Sequence, residues 1–311
     1  MTPGKKDIET ESICISVFES AVAENPLNIH PEEILRSFND TGVVLLRGFN
    51  FNLENFEIFT RLFCDKFYVI SSRHARNQLQ GDSYSNEVVR DNLAIMGHTE
   101  GTFRPYPPSP GVCFFMCSVP PDEAGGETLL IDGIKFLQHL PKTIRNRFKK
   151  VGITYEMYWE QERWQQEFSI NDMCAIDTLL THIPGVKFNF QNCALHLFYN
   201  TAAITKDRNG NDVFAVAILA HLPRINHTNY IDKAVHTKPS NRVYFGDGEE
   251  LSDGVINELI DIHDTLVYPH RWMAHDVLLI DNTRYMHGRT MTQHPCERII
   301  TSRFGWLQPS I

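Results

Sequence analysis

The sequence predicts a mainly β fold, a double-stranded β-helix (jelly roll) with helical additions. Three observations lead there. Short apolar runs of strand length recur along the chain and are separated by polar turns. Helical patterns gather toward the N-terminal part, as additions to a sandwich rather than as crossovers. A close pair of candidate ligands, His98 and Glu100, stands near one third of the chain, and a third, His287, lies near its end.

The elements follow in order. Pro31 with Glu32 and Glu33 opens a short helix that Gly42 follows, since proline and acids suit a first turn and glycine a terminus. The run Gly42 to Phe49 reads as a buried strand bounded by glycines. Phe56, Phe59, Leu62 and Phe63 form a helical stripe over 53–63. Val112 to Val119 is apolar and of strand length, which makes Cys113 and Cys117 core residues rather than a metal knuckle. Asp132-Gly133 begins a turn into a helix ending near Gly152. Residues 159–212 are the least regular stretch, broken by Pro184-Gly185 and Asn209-Gly210-Asn211. We read the insertion at about 159–235 as a lid or specificity region of one domain spanning 1–311. An apolar run at 214–220, a helical pattern at 254–264, a strand into a turn at 272–282 and a strand at 298–307 complete the chain.

Composition excludes several classes. The net charge of −9 argues against nucleic acid or an anionic membrane as a main partner. There is no long apolar run and no signal-like N-terminus, so a cytoplasmic protein is expected. Seven scattered cysteines read as reduced core residues.

Two imidazoles and one carboxylate on one face of an ion form the facial triad of non-haem Fe(II) oxygenases, which leaves positions open for co-substrate and O2. The tripeptide alone carries little weight. With 14 histidines and 38 acids in 311 residues, roughly two His-x-acid matches arise by chance, and His30-Pro31-Glu32 is the second. His30 precedes a helix start, where Glu32 favours the helix dipole. His98-Thr99-Glu100 instead sits between Gly97 and Gly101, ahead of Arg104-Pro105, as at a strand end. Residues i and i+2 of a strand share a face, so His98 and Glu100 can meet one ion from one side.

With the strand from Gly42 to Phe49, the Gly125-Gly126-Glu127-Thr128 segment and the region from Asp276 to Arg303, these residues resemble one family. The chain looks like the taurine dioxygenase and clavaminate synthase-like Fe(II)/2-oxoglutarate-dependent oxygenases. The resemblance runs in order over most of 30–307 and is loose between about 159 and 235. It implies Fe(II) held by His98, Glu100 and His287, with 2-oxoglutarate and O2 as co-substrates. It implies Arg298 and the Thr128 hydroxyl as the grip on the distal carboxylate of 2-oxoglutarate, because a guanidinium holds a carboxylate by two parallel hydrogen bonds. Glutamate in place of aspartate is similar to the amino-acid hydroxylases of the clavaminate synthase-like branch. The expected reaction is hydroxylation of an unactivated C–H bond in an amino acid or amino-acid-derived small molecule, such as a natural-product intermediate, with release of succinate and CO2. Desaturation or ring closure would use the same iron site. Halogenation would not, because related halogenases replace the carboxylate.

Substrate contacts are expected at Arg303, Arg104, Phe103 and Tyr199, with Phe198 and Asn200 as neighbours and Arg73 and Arg76 upstream. Arg303 follows Arg298 by five residues where relatives have four, an odd interval that turns it to the other face of a regular strand. His275 stands before Asp276 where relatives have glycine, and reads as a solvated turn residue. Arg289 reads as a support for the local loop. A carrier-protein partner and the oligomeric state are left open. The competing classes are a sulfonate or organic-acid dioxygenase, a silent jelly-roll binding protein, and a zinc hydrolase, which has no use for Arg298.

Overall fold

The computed structural model describes residues 4–69, 84–88, 92–222, 241–292 and 297–308. The chain opens with strands β1 (Gly4–Glu9) and β2 (Cys14–Glu19), helix α1 (Pro31–Thr41), β3 (Val43–Arg47), α2 (Leu53–Arg61) and β4 (Cys64–Phe67). Four strands follow, β5 (Asn86–Glu87), β6 (Ile95–His98), β7 (Val112–Val119) and β8 (Thr128–Asp132). Then come α3 (Gly133–His139), α4 (Lys142–Val151), β9 (Ile153–Trp159), α5 (Gln161–Phe168) and α6 (Met173–Thr181). Strands β10 (Val186–Gln191), β11 (Ala194–Thr201), β12 (Thr205–Lys206) and β13 (Asp212–Val213) lead into the short α7 (Ile218–His221). The last part holds β14 (Asn241–Phe245), α8 (Asp253–Leu266), β15 (Tyr268–His270), β16 (Val277–Asp281), β17 (Tyr285–Arg289) and β18 (Ile299–Leu307).

The large sheet runs β1-β2-β3-β16-β7-β18-β4, with β5 on β18, and a smaller one runs β15-β8-β17-β6. Side-chain alternation explains why the central strands read as unbroken apolar runs. In β16, Leu278 and Ile280 face the core shared with Leu130 and Tyr285 of the smaller sheet. Val277 and Leu279 face the other way, onto Phe38 of α1 and Phe56 and Phe59 of α2. Burying both faces removes the polar half of the strand pattern. Each fully buried phenylalanine contributes roughly 1.5–3 kcal/mol of transfer free energy. On its far side the smaller sheet packs Leu129, Ile131 and Met286 against the helices and a third sheet, β10-β11-β9-β14.

Local chemistry sets the boundaries. Gly42 closes α1 in the left-handed region at φ 76°, its N–H bonded to the Phe38 carbonyl. Asn52 and Asn55 form a reciprocal capping box on α2. Asp132 caps α3 through the Ile134 N–H at 2.9 Å. The single helix expected from 133 to 152 is two, because Pro141 holds Leu140 extended at ψ 128°. The irregular reading of 159–212 is also corrected. It contains α5, α6 and the β10–β11 hairpin, whose outer strand alternates half-buried and exposed residues and so lacks an apolar run. Among the described residues no helix is long and apolar enough to cross a membrane.

Candidate metal centre

Strands β6 and β17 pair antiparallel, with His98 opposite His287 and a bulge immediately after. Their ring centroids lie 4.6 Å apart. Glu100 follows in the turn beyond β6, and the donor atoms of His98, Glu100 and His287 all lie within 4.8 Å of one another. His98 Nδ1 is 3.1 Å from the Met96 carbonyl. A carbonyl only accepts, so Nδ1 carries the proton and Nε2 presents its lone pair, the tautomer a metal ligand needs. Phe115 and Phe304 pack beside His287 at ring distances of 5.4 and 6.4 Å and wall off that side.

Close backbone approach brings the ligand strands together. A Cβ on Gly288 would stand 2.3 Å from the Ile95 carbonyl, so the residue after His287 has to be glycine for β6 to pair there. From the other side, His263 of α8 accepts the Gly97 N–H at Nε2 (3.1 Å) while its Nδ1 donates to Asp264 (2.9 Å). The Glu100 peptide is clamped by Asn282, which is 2% exposed. Asn282 Oδ1 accepts the Glu100 N–H at 2.8 Å, and Nδ2 donates to the Glu100 carbonyl at 3.1 Å and the Pro110 carbonyl at 2.8 Å. Ser109 Oγ donates to the same Glu100 carbonyl at 2.6 Å. Sequence reading missed Asn282. Its signal was a polar Asp281-Asn282 pair ending an apolar strand.

A cavity of about 370 Å³ opens on the three donors, and Thr128 and Arg298 line it with them. Arg298 is 4% exposed and is tied to the glycine turn by a 3.2 Å bond from Nη1 to the Gly126 carbonyl. Thr128 begins β8 opposite Arg289, and its Oγ1 accepts the Trp272 indole N–H at 3.1 Å. The hydroxyl proton is thereby directed away from Trp272, as a donor to something else. Trp272, also missed in the sequence, is held edge-on by His270 at 4.6 Å. Burial and the nearby Arg47 lower the His270 pKa to about 3, so it sits there neutral.

The other expected residues divide. Phe103 and Arg104 line the cavity. Arg289 also reaches it, but donates from Nε to the Leu93 carbonyl at 3.0 Å, a loop-supporting contact. Tyr199 does not line it: on β11 it stands opposite Tyr155 and borders two other clefts. Phe198 packs at a tilt against His196, and Asn200 donates to the Gly246 carbonyl, both away from the metal cavity. Arg73 and Arg76 lie outside the described residues. His275 is exposed at φ 67°, its Nδ1 2.7 Å from the Phe51 carbonyl, a turn residue away from the metal ligands. His30 caps α1 without a side-chain bond. Cys113 and Cys117 are buried, and burial pushes the Cys117 thiol up to about 12.

Arg303 is the clearest correction to the substrate contacts. Its neighbours in register, Ile300 and Phe304, face the cavity, and Arg303 points to the opposite face. There it is fully buried, bonded to Ser85 Oγ at 2.7 Å, 3.7 Å from Glu57 and 4.4 Å over the Phe67 ring. The odd interval from Arg298 is the physical reason. We expect Arg303→Met to cost on the order of 3 kcal/mol of stability in urea titrations, since it removes a buried guanidinium with its bond to Ser85 and its charge beside Glu57. The Michaelis constants should stay at the wild-type level, and a change there would return Arg303 to the substrate.

Two imidazoles and one carboxylate on one side of a half-open cavity fit a divalent iron with open positions, and a buried arginine with a hydroxyl in that cavity fits a dicarboxylate. Known proteins agree in fold. The chain is 23% identical to a clavaminate synthase-like protein of Arabidopsis thaliana over 299 residues, which cover 85% of this chain and 82% of that one. The PvcB protein of Pseudomonas aeruginosa superposes with a TM-score of 0.60 at 14% identity, over 99% of this chain and 96% of the other. A taurine dioxygenase from Burkholderia xenovorans gives 0.58 at 13% identity, over 97% and 89%. Residues 8–303 match the model of the taurine catabolism dioxygenase TauD, TfdA family. The protein therefore belongs to that family and is a 2-oxoglutarate-dependent dioxygenase that works with iron and O2.

Proposed function

We propose that this dioxygenase hydroxylates an unactivated C–H bond of an amino acid or an amino-acid-derived small molecule. The observation that carries the reading is the convergence of His98, Glu100, His287, Thr128 and Arg298 on one cavity. His98 Nε2, the Glu100 carboxylate and His287 would hold the iron. Arg298 would receive the distal carboxylate of 2-oxoglutarate, with the Thr128 hydroxyl, set by Trp272, donating to it. Bound together, the metal and co-substrate supply the oxidation of a C–H bond, with succinate and CO2 as by-products. Phe115 and Phe304 keep water from the His287 side.

Size supports a small substrate. Ligand sites run from about 300 to 1,000 Å³, and this cavity of about 370 Å³ takes co-substrate as well as substrate. The insertion contributes Arg163, Glu167 and His221 to the lining, which supports its reading as a specificity region. A sulfonate dioxygenase is the second reading. It loses ground because the arginine expected near the iron for the anion, Arg303, faces the other way.

The reading is tested by adding Fe(II) and 2-oxoglutarate without oxygen, where a weak visible charge-transfer band is expected, and then by succinate release across a panel of amino acids and their conjugates. Absence of both the band and succinate would sink it. We further expect Arg298→Lys to raise the KM for 2-oxoglutarate roughly tenfold, since an ammonium cannot copy the two-pronged grip. An unchanged KM would remove Arg298 from that role.

A further inference from the structure

Charge is segregated along this chain. Residues 133–155 carry six lysines and arginines and no acid, whereas residues 243–270 carry seven acids and no lysine or arginine. The first stretch holds α3 and α4, the second the end of β14 and all of α8. In space α3 packs on α8 and α4 on β14, and Phe136, Phe148, Leu259 and Ile260 enter one core. The opposite faces of these helices therefore form one outer layer. It is basic at one end and acidic at the other.

Helix periodicity sets the basic end. Lys142, Arg145 and Lys149 follow at i, i+3 and i+7 along the side of α4 away from the buried Phe148, with Lys150 beside them. The three lysines are exposed and Arg145 is half-buried. Among the described residues only Arg147 of this helix is ion-paired, at 2.6 Å to both Asp247 and Glu249. Lys149 feels Asp212, whose carboxylate Lys206 already holds at 2.7 Å. At the acidic end Glu250 is exposed in the loop before α8, and Asp253 and Asp261 are exposed on that helix, about two turns apart. Arg147 marks the seam between the two ends. Ile144 of α4 and Val255 and Ile256 of α8 are half-buried apolar residues of the same layer.

An extended polyanion such as nucleic acid or an anionic membrane is drawn to α4 but repelled by the acidic end beside it. A surface that carries both signs side by side complements a copy of itself turned about a two-fold axis. The basic end of each copy then meets the acidic end of the other, and every contact occurs twice. We propose that this helical layer is an isologous interface through which two copies of the chain pair. Exposed ion pairs contribute little singly, so the charges fix orientation and partner, while Ile144, Val255 and Ile256 add apolar area. The dimer is weak and sensitive to salt. None of these residues lines the metal cavity, and pairing leaves the iron site open.

The test is sedimentation velocity on the full chain from about 1 to 100 μM, a range that brackets a micromolar Kd. A dimer is expected at about 0.01 M salt and a monomer at about 0.5 M, as the screening length falls from about 30 Å to about 4 Å. Lys149→Glu with Lys150→Glu reverses the basic end, and Glu250→Lys with Asp261→Lys reverses the acidic end. Each double variant alone should dimerise at least about tenfold more weakly at low salt. Mixed in equal amounts, the two should form a dimer again, because both contacts of the mixed pair join opposite signs. A melting temperature at the wild-type level shows that each variant is folded. Lys142→Glu with Lys149→Glu, and Glu250→Lys alone, serve where a double variant does not fold. A monomer at every salt concentration, a dimer that either reversal leaves intact, or a mixture that stays monomeric overturns the interface.

Discussion

Replacing Glu100 with alanine should abolish succinate formation and the anaerobic visible band together. Two imidazoles remain in that variant, but the anionic oxygen donor that balances the iron's charge is gone, and its place opens to water. We expect a fall of at least about a thousandfold in turnover, a barrier increase of roughly 4 kcal/mol. Glu100→Asp is the informative companion. The Asn282 clamp holds the backbone rather than the carboxylate, so the shorter side chain leaves a gap of one methylene to the metal. Partial activity is expected for Glu100→Asp and none for Glu100→Ala. If Glu100→Ala kept both band and turnover, the carboxylate would not be a ligand.

The second large effect is predicted at a residue that touches neither metal nor substrate. Asn282→Ala removes three hydrogen bonds around the Glu100 and Pro110 peptides and leaves their buried polar groups unsatisfied. Supporting residues of this kind typically carry ten- to a hundredfold in metal affinity, and each orphaned buried group costs about 1–3 kcal/mol of stability. The expected result is a rise of about tenfold or more in the iron Kd, read by metal titration, with some metal-bound protein still reached at high iron. A purely structural residue would lower the melting temperature without moving the Kd measured on folded protein, and that outcome would end the positioning role.

Legibility varied along the chain for physical reasons. Val112–Val119 was readable to the residue because both faces of β7 are covered from Val112 to Cys117 and the polar half of the pattern is absent there. The β10–β11 hairpin was not, because it has one solvated face and sits beside helices that share its composition. Parity along β18 was decisive and visible beforehand. An odd interval from Arg298 places Arg303 on the helix-facing side, where the structure finds it against Phe67. Tyr199 failed as a cavity residue because an aromatic on a strand gives no sign of which face it serves. Trp272 and Asn282 carry no motif of their own. They become visible only when β16 and β8 bring an indole to Thr128 and an amide to Glu100.

The amino-acid order alone determined the chemistry of this protein: which side chains can hold iron and 2-oxoglutarate, and the two strand ends from which they come. Residue type and strand parity are local properties, so a linear reading reaches them. Only the tertiary structure decided which distant groups share the cavity. Arg104 lies 63 residues from Glu167 in sequence, yet it meets Arg163 of the same helix around the buried Glu167 carboxylate. That meeting depends on how α5 packs over the β6 loop, where long-range burial rather than local pattern sets the outcome.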